Sequence, residues 1–146
     1  MATPQNQKKI EWLSRFRKSE QELSRLYGEL ERWNSKAEKV TQRISPMPPG
    51  ARSGDKVQDC VELISAVKRN INREIVKQCH VRNDITAAIE SVSDETLRLL
   101  LELRYIDGLT WEKIAVKLNY SYMHICRLHG KAISQLVIEC YTRRAV

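Results

Sequence analysis

The stretch TWEKIAVKLNYSYMHICRLHGKAISQL, residues 110–136, decides how the chain is read. It divides into two short helices around a tight turn. Thr110 is a good N-cap, because its hydroxyl can accept from a free amide of the first turn, and Glu112 and Lys113 follow at ordinary first-turn positions. Ile114, Ala115 and Leu118 put an apolar stripe on one side of the first helix. Asn119-Tyr120-Ser121 interrupts it: Asn tolerates the left-handed conformation that ends helices, and Ser121 caps the next one. Ile125, Leu128, Ala132, Ile133 and Leu136 form the buried stripe of the second helix.

Two helices crossing steeply over so short a turn need a small residue where they touch, which Ala115 supplies. They also need apolar residues at the turn and on the second helix, which Tyr120, Ile125 and Leu128 supply. This is the helix-turn-helix pattern, whose second helix lies in the DNA major groove. Asn119 stands where Gly is commoner, a mild departure given how readily Asn takes positive φ. The competing reading of the same spacing is an αα-corner in a small helical bundle.

Working outward, Ser93 or Asp94 caps a short helix, DETLRLLLELRYI, whose Leu97, Leu100, Leu101 and Tyr105 face a core. Asp107-Gly108 ends it with a turn, and Leu109 sits just ahead of the Thr110 cap as a hydrophobic staple would. Residues 94–141 therefore hold three helices, a minimal DNA-binding module. The tail YTRRAV offers Arg143 and Arg144 to a phosphate backbone or to solvent.

Toward the N-terminus, a polar tail precedes a long helix predicted over 7–44. Trp12, Phe16, Leu23, Leu26, Leu30, Trp33, Ala37, Val40 and Ile44 recur in alternating steps of three and four, with Ser19 filling one missing step. Charged residues such as Arg25 and Glu29 occupy the outer positions, where the mixture of signs suits solvent rather than a membrane surface. Gly28 weakens the helix by roughly 1 kcal/mol. The segment SPMPPGARSG, residues 45–54, carries too many prolines and glycines to continue a helix and reads as a connector.

A second long helix is predicted over 55–91. Val57, Cys60, Ile64, Val67, Ile71, Ile75, Val81, Ile85 and Ala88 keep near-heptad spacing, Val61 and Ile89 widen the stripe, and Glu74 and Gln78 lie near the seam. Two such helices fold back most simply as an antiparallel pair. The fold class is thus all-α: a long N-terminal antiparallel helical hairpin, coiled-coil-like, followed by a three-helix helix-turn-helix module. The domains are 1–91, with linker 45–54, and 92–146.

Composition fits this. Among 146 residues, five Gly and four Pro suit a mostly helical protein, and a net charge of +7 favours an anionic partner such as nucleic acid. Cys60, Cys79, Cys126 and Cys140 form no Cys-x-x-Cys pair and read as reduced buried thiols in helices, and no metal or cofactor is expected. No apolar run approaches a signal peptide or a membrane span, so the expected setting is the cytoplasm. No phosphate loop, carboxylate cluster or nucleophile-base arrangement suggests an enzyme.

The string LRLLLELRYIDGLTWEKIAVKLNYSYMHICRLHGKAISQL resembles region 4 of sigma-70 type RNA polymerase factors. It is more closely similar to small phage and prophage proteins of low-GC Gram-positive bacteria that carry such a helix-turn-helix, late transcription activators among them. The resemblance rests on Leu103-Arg104-Tyr105, Gly108-Leu109-Thr110-Trp111, Ile114-Ala115, Leu118, Tyr120-Ser121 and Arg127-Leu128-His129, roughly the last third of the chain. It implies a transcriptional regulator in a bacterial host cell.

On a recognition helix that starts after Ser121, the residues placed to reach base edges are Tyr122, Met123, His124, Cys126 and Arg127. Arg127 suits a bidentate contact to guanine, and Tyr122 and Met123 suit thymine methyls or the turn itself. Lys113, Lys117, Lys131 and the helix end at Ser121 suit phosphates. Trp111 reads as core more than as a sugar stacker, and His129 as packing. The expected partners are double-stranded DNA, RNA polymerase and a second copy of the chain, a dimer being favoured. Two other functions fit the same elements: a small terminase subunit-like DNA-packaging protein, and a helical interaction protein that binds no DNA.

Overall fold

The computed structural model describes residues 3–44 and 53–138, and every regular element among them is a helix. In chain order these are α1 (Pro4–Leu13), α2 (Arg15–Ile44), α3 (Ser53–Glu90), α4 (Glu95–Tyr105), α5 (Trp111–Leu118) and α6 (Tyr122–Gln135). None of the described helices is long and apolar enough to cross a membrane.

The helix predicted over 7–44 is in fact two. It starts earlier, because the Thr3 hydroxyl accepts from the Asn6 amide and Pro4 occupies the first turn, where a missing N–H costs nothing. It breaks at Ser14, whose Oγ donates to the Ile10 carbonyl at 2.7 Å while its own amide donates to the same oxygen. A serine bonding back four residues competes with the backbone ladder and bends helices. Helix α2 then runs on through Gly28.

Packing divides the chain into two compact units, Ser19–Lys77 on one hand and residues up to Lys18 with those from Gln78 onward on the other. In the first, α2 runs antiparallel to α3 from Ser19, opposite Glu74, through the cluster that follows. Leu23 and Leu26 cluster with Val67 and Ile71, and Leu30 and Trp33 lean on them. Ser19, the polar step in the apolar spacing, is buried and donates to Glu74 Oε1 at 2.8 Å. That bond explains both the serine and the glutamate beside the seam. Val61 and Ile75, expected in the stripe, are exposed at 48% and 37%, because a single facing helix covers only a narrow band of α3. Of the connector 45–54, residues 45–52 lie outside the described residues, whereas Ser53 and Gly54 already belong to α3. The cysteines also depart from expectation. Cys79 and Cys126 are exposed, since helix spacing points them away from either core, and Cys60, in the apolar stripe of α3, is only half-buried; Cys140, Arg143 and Arg144 lie outside the described residues.

The second unit has a continuous core. Trp12, Leu13 and Phe16 meet Val81, Ile85, Ala88 and Ile89 of α3, Leu97, Leu101 and Tyr105 of α4, Ala132 and Ile133 of α6, and Leu136 and Ile138 just beyond it. This core draws on residues from both sides of 91/92. Two long-range bonds reinforce it: Lys9 Nζ donates to the Ile133 carbonyl at 3.1 Å, and the Val137 amide to Ser91 Oγ at 3.2 Å. The first satisfies a carbonyl near the C-terminus of α6 with a cation, as the helix dipole favours.

Ile85 is fully buried at the centre of this unit. Ile85→Ala is expected to cost about 2–5 kcal/mol of unfolding free energy through lost burial and a residual cavity, read by chemical denaturation; a loss under about 0.5 kcal/mol would contradict this packing.

Candidate nucleic-acid interface

Each joint of residues 94–136 is closed by local chemistry. Asp94, rather than Ser93, caps α4, accepting from the Thr96 and Leu97 amides at 2.8 and 3.3 Å. After α4, Gly108 takes φ +72 and the Leu109 amide returns to the Leu103 carbonyl at 3.0 Å. Thr110 then caps α5 through the Lys113 amide, and Ser121 caps α6 through the His124 amide. Between them, Asn119 lies at φ 59 and ψ 40. Its amide reaches Val116 O while the Tyr120 amide reaches Ala115 O, the paired bonds of a Schellman turn.

The crossing is made as the spacing requires. Ala115 is buried between Ile114, Ile125, Leu100 and Leu103, with Leu109, Trp111, Leu118 and Leu128 around them. Tyr120 departs from expectation. It is 41% exposed, its ring meeting the His124 imidazole edge-on at 4.8 Å instead of entering the core, because the left-handed turn throws the residue after Asn119 outward.

Helix α6 buries Ile125, Ala132 and Ile133 and leaves an outer face free. Tyr122 and Cys126 form one row of that face and Met123, Arg127 and Lys131 the next, each step four residues on, and all five are exposed. Met123 is 67% exposed, too open for a side chain that packs on the turn. The Cys126 thiol one turn away holds the Tyr122 hydroxyl above its ordinary range. His124 stands apart from these five, half-buried against Tyr120. On α5, Lys113 and Lys117 are exposed one turn apart, and Ser121 is exposed at the start of α6, where first-turn amides lack helical acceptors.

Beside α6 lies a polar-aromatic cluster that only part of the sequence spacing announced. His129 Nε2 and the Tyr105 hydroxyl share a hydrogen bond of 2.8 Å, and Trp111 meets the His129 ring edge-on at 4.5 Å. Arg104 spans the group, its guanidinium 4.5 Å from the Trp111 ring centre and its Nη1 donating to the Leu109 carbonyl at 3.0 Å. Trp111 and His129 are packing residues, as expected, and the hydrogen bond joining α4 to α6 went unforeseen. Burial pushes Tyr105 up to about 12 and His129 down to about 4, Arg104 adding to the fall of His129. Sequence reasoning also missed Lys9 and Arg17, which reach this module from the start of the chain with no local pattern to reveal them.

Residues 94–136 match the family model described as Sigma-70, region 4. No curated protein and no solved structure matches the chain. The matched span coincides with the capped, three-helix geometry above. Residues 94–136 therefore form a helix-turn-helix of the sigma-70 region 4 kind, a type of domain that binds DNA.

The neutral state of His129 makes this module acid-sensitive. Its folded pKa lies below the ordinary 6.5, so the unfolded chain binds the proton more readily and stability rises with pH across the interval from about 4 to 6.5. Stability is fully present above about 6.5 and is expected to fall by about 2–3 kcal/mol between pH 7 and pH 4.5. His129→Phe should flatten thermal melts across that window; an unchanged slope would refute the assignment.

Proposed function

We propose that the chain is a sequence-specific transcriptional regulator of phage or prophage type, acting at promoters with α6 in the DNA major groove. The observation that carries this reading is the free outer face of α6, bearing Tyr122, Met123, Cys126 and Arg127, within a module matched to sigma-70 region 4.

Arg127 reads guanine through a bidentate contact, while Tyr122, Met123 and Cys126 meet base edges or thymine methyls nearby. His124, held by Tyr120, reaches a base at the start of the helix. Lys113 and Lys117 on α5, Lys131 on α6 and the amide end of α6 at Ser121 hold phosphates on either side and set the register. The protein performs no chemistry of its own. It recruits or stabilises RNA polymerase at the promoter of its bacterial host, within the cytoplasm.

The hairpin of α2 and α3 supplies self-association or the polymerase contact. Exposed Tyr27, Val61 and Ile75 on its two helices support a dimer, which would set two recognition helices about one DNA turn (roughly 34–36 Å) apart.

Selection of bound duplexes from a random pool should yield a sharp consensus with a guanine at the Arg127 position. Arg127→Ala should then weaken the consensus site by about 1–3 kcal/mol and relax preference at that base. Enrichment indifferent to sequence would sink direct readout.

A further inference from the structure

We propose that Arg17, at the start of α2, is a DNA phosphate contact that extends the interface of the helix-turn-helix beyond the family-matched residues. The proposal rests on the DNA-binding reading above and adds to it a residue from the opposite end of the chain.

A cleft of about 310 Å³ opens beside α6, lined among others by Ile10, Ser14, Arg17, Arg104, Trp111 and Cys126. Among the described residues two guanidiniums line it, and no carboxylate does. Arg104 is already committed, stacked on Trp111 and bonded to the Leu109 carbonyl. Arg17 is not. No ion pair or hydrogen bond from its guanidinium occurs among the described residues, and the residue is half-buried. The Ser14 break and the buried Trp12, Leu13 and Phe16 on either side aim it at the turn before α5. There its Cζ and Nε lie 3.2 and 3.3 Å from where a Cβ on Gly108 would stand. A planar cation with open donors in a partly dry, acid-free cleft is a seat for one anionic oxygen pair.

The position of the cleft identifies the anion. One wall is Trp111, the first residue of α5, at the electropositive end of that helix. Another is Cys126, one turn along from Tyr122 on the outer face of α6. Docking α6 in the major groove lays the first helix of the motif across the backbone. The oxygens that pass this cleft then belong to a phosphodiester, and Arg17 is placed to neutralise it whatever the base sequence.

The test is equilibrium binding of the full chain to two unrelated duplexes across a range of salt concentrations, for the wild type, Arg17→Gln and Arg17→Lys. Arg17→Gln should lower the slope of log affinity against log salt by about one on both duplexes, and Arg17→Lys should keep it near wild type. The Gln variant should melt as the wild type does, since the Arg17 guanidinium holds no partner among the described residues. An unchanged slope in the Gln variant, or a loss confined to one duplex, overturns the proposal while leaving the DNA-binding reading intact. A wild type that binds no duplex even in low salt overturns both.

Discussion

Helix α6 is gripped in two places by two different cores, and the module depends on that double hold. Near its start, Ile125 drops into the cluster of Ile114, Ala115, Leu100 and Leu103. Toward its end, Ala132, Ile133 and Leu136 enter the larger cluster built from α1, α3 and α4. Leu128 leans on both, so the two clusters meet along the inner side of one helix. A helix of this length has little stability of its own, and tertiary burial fixes its angle and rotation. Its outer side chains are left with no packing duty.

The half of this arrangement that obeys local rules was legible in the residues. Thr110, Asn119 and Ser121 announced a cap, a left-handed stop and a second cap, and the backbone follows them. The apolar spacing of 12–44 and 55–91 announced antiparallel helices, and even the out-of-pattern Ser19 fits, once Glu74 is seen to accept from it. What stayed hidden depended on partners far apart in sequence. Nothing near Lys9 indicates that it closes the carbonyl end of α6, and nothing near His129 names Tyr105 as its partner. Periodicity gives a face of a helix, but not what covers it. For the same reason Val61 and Ile75 read as seam residues and are exposed, and Tyr120 read as core and stands outside.

The candidate interface follows the same division. That residues 122, 123, 126, 127 and 131 share a face follows from helix geometry alone. That His124 differs from them depends on where the turn puts Tyr120, a tertiary matter. Arg17 is the extreme case, a residue of the first turn of α2 whose neighbours are the turn before α5 and the side of α6.

The unit that contains the helix-turn-helix is built from the two ends of the chain, with Ser19–Lys77 inserted between them. On a ribosome, Trp12, Leu13 and Phe16 emerge long before Ala132, Ile133 and Leu136, which share their core. That core has to wait until residues 132–138 are made. The inserted hairpin does not, because its Leu23–Val67 cluster is complete soon after Lys77 is made. An antiparallel hairpin brings its own two ends together, so forming it first shortens the loop that the larger core must close and lowers the entropy cost of that closure. Until then Trp12, Leu13 and Phe16 stay uncovered, and the order of synthesis makes the first turns of the chain the segment most in need of protection from aggregation.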